Sequence, residues 1–168
     1  MKLMPSPEVE APEKAGSLIL ERFVPYRLSV LSNTVSRAIA RIYAERFDLT
    51  IPEWRVMAQL GRHGRLSASE IVGLTAMDKV RVSRAVARLT SAGRVAAAAD
   101  AADRRRQRLS LTAAGHRIYR DIVPLALERE ARLLAVLDCE ERRDLERLLL
   151  KLQESAQALA SGAAAAPD

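Results

Sequence analysis

At 168 residues, 49% hydrophobic but only 4% aromatic, the chain has length for one well-packed domain, and its alanine and leucine favour helices over sheets. Its formal net charge of +6 points to a polyanionic partner rather than an acidic small substrate. The single cysteine excludes an internal disulfide, and no apolar run approaches the roughly 18 residues of a bilayer span.

In chain order, residues 1–16 read as a disordered tail, rich in proline and glutamate. They lack the charged-then-apolar pattern of a signal peptide. Ser17–Val24 predicts a short helical turn ending before Pro25. From Leu28 to Phe47 the apolar residues Leu28, Leu31, Val35, Ile39 and Ile42 recur at helical steps. Thr50 reads as the cap of a second helix, with Pro52 in its first turn. That helix runs to about Arg62 and buries Trp54, Val56, Met57 or Leu60. Ser67-Ala68-Ser69-Glu70 is a capping box opening a short helix with Ile71, Val72 and Leu74, and Thr75–Met77 forms a turn.

The stretch from Asp78 to Thr112 organises the rest. Asp78 is an N-cap and Gly93 a C-terminal stop for a helix between them. Val82, Ala85, Val86 and Leu89 share one side. The opposite side carries Val80, Ser83, Arg84 and Ala87, flanked by Arg81 and Arg88. Such a face, small, apolar and cationic at once, suits a DNA major groove. Arginine forks onto guanine or phosphate, and valine or alanine touches a thymine methyl. Two short strands follow, Val95–Ala99 and Arg106–Leu111, joined by a charged turn at Asp100–Arg105. Nine basic residues and two acids fall between Lys79 and Arg108, a net +7 against +6 for the whole chain. The excess positive charge is therefore concentrated where a nucleic-acid contact is expected. An arginine face opposite an apolar stripe is by itself ordinary solvated surface. The helix, glycine stop, strand pair and basic tip in succession raise the DNA reading well above that alternative.

After Thr112, a helix from Ala113 to about Leu137 carries Ile118, Ile122, Leu125, Leu133 and Val136 or Leu137, with a kink or break expected at Pro124. Asp138 or Cys139 caps a last helix whose stripe is Leu145, Leu148, Leu149, Leu152, Ala156 and Leu159. Residues 161–168 read as a frayed tail. The fold class expected is mostly α with a small β-wing. A winged helix-turn-helix domain (48–112) is flanked by N-terminal (17–47) and C-terminal (113–160) helices. Those flanking helices hold more leucine than one small domain needs, so they are expected to dimerise with a second copy.

The segments TIPEWRVMAQL, LSASEI, MDKVRVSRAVARLTSAG and DRRRQRLSLTAAG resemble the MarR family of transcription regulators, over about Leu28 to Leu159. Asp103, Arg105, Leu111 and Thr112 match the family's wing motif. The resemblance implies a homodimer on double-stranded operator DNA, with Lys79, Val80, Arg81, Ser83, Arg84 and Arg88 of the helix and Arg104, Arg105 and Arg106 of the wing as DNA contacts. By the same resemblance Arg105 enters the minor groove, and Asp103 pairs with a nearby arginine to support the wing. Members usually carry larger residues than Ala96–Ala99 in the first wing strand. Alanine's poor strand propensity implies a wing that is mobile without DNA. The family's sensing of aromatic compounds implies a small-molecule effector, an aromatic acid or its coenzyme A thioester, with Tyr43, Trp54 and Arg55 as ligand contacts. No cofactor or metal is implied. The expected location is cytoplasmic, nucleoid-associated when bound to DNA, with no membrane partner.

Three other functions fit parts of the sequence less well. An enzyme would need a nucleophile, an acid/base pair or a metal set; His63 and His116 read as surface residues, and no catalytic or phosphate-loop pattern occurs. Cys139 near a helix N-terminus is a candidate redox sensor, against its plainer reading as a small capping residue. A nonspecific architectural DNA-binding protein shares the charge but needs no effector cleft.

Overall fold

The structure is a computed structural model that describes residues 18–100 and 107–162. The expectations for 1–16, for the wing tip and for the last residues of the C-terminal tail lie outside those residues. The element order is α1 (Val24–Phe47), α2 (Ile51–His63), α3 (Ala68–Leu74), α4 (Lys79–Ser91), β1 (Val95–Ala99), β2 (Gln107–Leu111), α5 (Ala113–Leu134) and α6 (Cys139–Ala160). This is the mostly helical class with a two-stranded sheet. The chain divides into two compact units, Met1–Ala38 and Ile39–Asp168, with α1 contributing to both.

In the first unit, the amides of Arg22 and Phe23 fold back onto the Ile19 carbonyl in a turn. The helix does not wait for Leu28. It begins at Val24 and takes Pro25 into its first turn, where the missing N–H would have had no intrahelical acceptor. Leu18, Ile19, Leu20, Phe23, Tyr26, Leu28, Val30 and Leu31 are all exposed.

The second unit holds the core. Val56, Met57 and Leu60 of α2, Ile71 of α3, Val82, Ala85 and Leu89 of α4, Val95 of β1, Leu109 and Leu111 of β2 and Ile122 of α5 are buried together. Tyr43 and Leu49 belong to the same cluster, with Ile39, Ala40 and Phe47 packed against it. Burying these side chains stabilises the unit by about 1.5–3 kcal/mol for each large one. Local signals set the helix starts. Thr50 and Glu53, Ser67 and Glu70, and Asp138 and Glu141 form reciprocal capping boxes, and Asp78 caps α4 through the Arg81 amide. At the other end of α4, Gly93 adopts φ 65°. The Arg94 amide bonds the Leu89 carbonyl and the Gly93 amide that of Thr90, the paired closure that a left-handed glycine permits.

β1 and β2 pair antiparallel, with Val95 opposite Leu111 and Ala99 opposite Gln107. An additional bridge joins Leu66 to Leu109. The described part of β2 is Gln107–Leu111; the expected first residue, Arg106, lies outside the described residues. Thr112 then locks the return. Its hydroxyl donates to the Gly93 carbonyl at 2.7 Å, its amide donates to the Arg94 carbonyl at 3.0 Å, and the hydroxyl oxygen accepts the Gly115 amide at 3.1 Å, capping α5. A Cβ on Gly115 would stand 2.1 Å from the Arg94 carbonyl oxygen, so only glycine allows α5 to start this close to the turn after α4.

The C-terminal half narrows the expectations. α5 passes through Pro124 without a break, and it ends at Leu134 rather than near Leu137. The proline removes one hydrogen bond to the preceding turn, which a long helix held at Ile122 tolerates. Asp138, not Cys139, caps α6 and accepts the amides of Glu140 and Glu141.

Candidate nucleic-acid interface

α3 and α4, joined through Thr75–Asp78, form the helix-turn-helix, and β1 and β2 form the wing. α4 is divided as its periodicity predicts. Val82, Ala85 and Leu89 are buried and Val86 half-buried, whereas Lys79, Val80, Arg81, Ser83, Arg84, Ala87 and Arg88 are exposed. Val80 stands 59% exposed, an apolar side chain that the core does not claim. Arg81 makes an i,i+3 ion pair with the capping Asp78, Nε to Oδ2 at 3.3 Å.

Arg88 is placed differently from its neighbours. Its Nε lies 2.9 Å from Oε1 of Glu53, a carboxylate only 3% exposed. The other Glu53 oxygen accepts the Thr50 amide at 2.7 Å and the Thr50 hydroxyl at 2.6 Å. Arg88 therefore ties α4 to the N-terminus of α2. Arg94 reaches the Asp48 carbonyl. Arg108 sits between two carboxylates, Nε to Asp100 Oδ2 and a terminal guanidinium nitrogen to Glu70 Oε2, each at 2.6 Å. Part of the positive charge counted along the sequence is thus balanced by carboxylates within the domain. Asp103, Arg104, Arg105 and Arg106 lie outside the described residues.

The expected ligand contacts come together around stacked rings. Tyr43 and Trp54 have centroids 5.6 Å apart at 30°, and Trp54 stacks on Tyr119 at 6.0 Å and 28°. Tyr43 is buried, and that desolvation pushes its hydroxyl up to about 12, with the Arg55 charge acting in the opposite direction. Arg55 is therefore near enough to influence the phenol. Trp54 and Tyr119 are half-buried. Tyr119 was not among the sequence candidates; it follows Ile118 on α5 and shows no motif. Gly61 lies under it, since a Cβ there would stand 2.5 Å from the Tyr119 ring. An open groove of about 390 Å³ lies elsewhere, between α3, α4 and β2, with Val72, Val82, Val86, Lys79, Ser83 and Gln107 among its lining residues.

His63, in the last turn of α2, and His116, in the first turn of α5, are both exposed. Among the described residues, no His, Cys, Asp and Glu group could hold a metal ion, and no helix is long and apolar enough to cross a membrane. Cys139 is exposed at the first position of α6. The Asp138 carboxylate caps that helix end, accepting the Glu140 and Glu141 amides.

With this geometry in place, comparisons with known proteins converge. A family model described as MarR family matches residues 47–106, from the end of α1 to the wing. An HTH-type transcriptional repressor of Mycobacterium tuberculosis is 28% identical over 131 residues, covering 77% of this chain and 91% of that protein. A MarR/EmrR family transcriptional regulator from Acinetobacter sp. ADP1 superimposes with a TM-score of 0.77 at 26% identity, covering 83% of this chain and 99% of that one. BpsR of Bordetella bronchiseptica, whose DNA binding is regulated by 6-hydroxynicotinic acid, superimposes with a TM-score of 0.73 at 25% identity, covering 82% and 98%. These relatives are transcription regulators, and the chain is similar to MarR-family winged-helix regulators in sequence and in fold.

Proposed function

We propose that the protein is a homodimeric repressor that binds a pseudo-palindromic operator through α4 and the wing, and that a small aromatic acid releases it. The observation that carries the DNA part is the division of α4. Its inner residues are anchored in the core, so its outer face is held rigidly toward solvent with Ser83, Arg84 and Val80 displayed together. A preformed, cationic helix face of this kind is what major-groove readout needs. Arg84 is assigned to a base edge, Lys79 and Arg81 to phosphates, and Arg104, Arg105 and Arg106 to the wing's contacts with the adjacent groove, supported by Asp103. Arg88 is reassigned to bracing α4 through Glu53.

For the effector, the Tyr43–Trp54–Tyr119 stack with the Arg55 charge close by offers aromatic faces and one cation, the pair of groups that an aromatic carboxylate would use. The regulation of BpsR by 6-hydroxynicotinic acid supports the same class of ligand. Tyr43 is buried under Trp54, so a ligand enters beside Trp54 and Tyr119 and reorders the stack. It shifts DNA binding only to the extent that it binds the two forms with different affinity.

The test is equilibrium binding to the DNA flanking the protein's own gene, against scrambled DNA of equal length. Specific binding is expected, and Arg84→Ala is expected to lose about 1–3 kcal/mol of discrimination at one base position. Equal binding of both DNAs, or an Arg84→Ala variant with unaltered sequence preference, contradicts the assignment.

A further inference from the structure

Arg108 belongs to the basic stretch by sequence, but its surroundings are not those of a DNA contact. It occupies the position of β2 opposite Ala98. Its Nε meets Asp100, just beyond the end of β1, and its terminal nitrogen meets Glu70 in the first turn of α3. Glu70 Oε2 is also the acceptor for the Ser67 amide at 2.7 Å and the Ser67 hydroxyl at 2.6 Å. One oxygen therefore joins the α3 capping box to the wing. Arg108 is thus already paired with two carboxylates, and a phosphate would have to displace them to take the guanidinium.

We propose that Arg108 is a positioning residue that fixes the wing relative to the helix-turn-helix, rather than a residue that touches DNA. The paired backbone of β1 and β2 and the Leu66–Leu109 bridge hold the root of the wing. Those contacts alone leave the strand pair able to swing about its root. Arg108 spans α3, β1 and β2 beyond that root and restricts the swing. α4 and the wing tip then reach their grooves in one docking event. Arg108 and Glu70 are both partly solvent-exposed, so the pair contributes more to orientation than to global stability.

The proposal rests on DNA binding through α4 and the wing, and the test separates the two. Arg108→Gln, Glu70→Gln and the double variant are compared with wild type over a salt series, with thermal melts to confirm folding. Arg108→Gln is expected to weaken operator binding roughly five- to tenfold while leaving the slope of log affinity against log salt unchanged. The double variant is expected to be no weaker than Arg108→Gln alone, because both changes open the same link. A slope shallower by about 0.9, the signature of one lost phosphate contact, overturns the proposal. Unchanged affinity or additive losses overturn it as well. A second readout needs no DNA: amide exchange in the free protein. Faster exchange in β1 and β2 of Arg108→Gln is expected, and unaltered exchange there contradicts the positioning role even if the DNA assignment itself fails.

Discussion

At the scale of single residues, the most informative are two glutamates that cap helices and do more than cap. Glu53 is the buried charged side chain of the described core. It closes the Thr50 capping box and holds Arg88. Glu53→Ala is expected to destabilise the fold by about 2 kcal/mol, combining a lost cap with a lost charge-assisted bond, as measured by urea unfolding. Arg88→Ala is expected to cost less, because its own side chain is 59% exposed. Glu70 is exposed yet strongly perturbed. The Ser67 hydroxyl and amide, then Arg108, lower its carboxyl from 4.5 to about 2. The ionised form is thus favoured by folding. The stabilisation is fully present above the unfolded value near 4.5 and is lost as pH falls toward 2. The stability difference between wild type and Glu70→Gln is therefore expected to be larger at pH 7 than at pH 2.5. A difference independent of pH would show that ionisation of Glu70 does not matter. Neither role is legible from spacing alone. The sequence shows Ser67 and Glu70 as a box, but the arginine that completes it lies 38 residues away.

At the scale of elements, helix and strand boundaries follow where short-range chemistry decides them. Thr50, Ser67, Asp78 and Gly93 each act where the sequence puts them, because capping and left-handed turns depend on neighbours within a few residues. β1 also forms as expected, although alanine is a poor strand former; the register with β2 and the anchors at Val95 and Leu111 supply what propensity does not. Expectations are refined at the two prolines. Of the kink or break expected at Pro124, the break does not occur, and α1 starts at Val24 because Pro25 fits a first turn. Gly115 is the clearest case of a long-range requirement hidden in a short motif. Gly115→Ala must move either α5 or the Arg94 turn, since the obstructing atom is backbone. A loss of about 1–3 kcal/mol is expected, again by urea unfolding; a loss under 0.5 kcal/mol would show that the α5 N-terminus is less tightly held than its geometry indicates. Of the candidate site, the α4 face was readable from its 3.6-residue period. Tyr119 and the carboxylates facing Arg88 and Arg108 were not, because they reach the site through tertiary packing.

At the scale of the whole molecule, apolar surface remains to be accounted for. α6 has no buried residue, and Leu145, Leu148, Leu149, Leu152 and Leu159 of its stripe are 37–67% exposed. Exposed apolar residues also run from Leu18 to Leu31. Continuous apolar faces of this kind mark interaction surfaces, and a second copy is the occupant proposed above. Sedimentation at micromolar concentration is expected to give a dimer, and Leu148→Asp with Leu152→Asp a monomer or an unfolded chain. A folded wild-type monomer would contradict the pairing. In the proposed function dimerisation also serves recognition, because a single recognition helix reads only a few base pairs, whereas two-fold repetition doubles the contact and fixes the spacing.

The claim that two copies of α4 read one operator is tested most directly by hydroxyl-radical footprinting on the DNA flanking the gene. Two protected segments are expected, related by a two-fold axis, with centres about 34 Å apart along the duplex. Protection of a single half-site, or uniform protection without a preferred position, would contradict it.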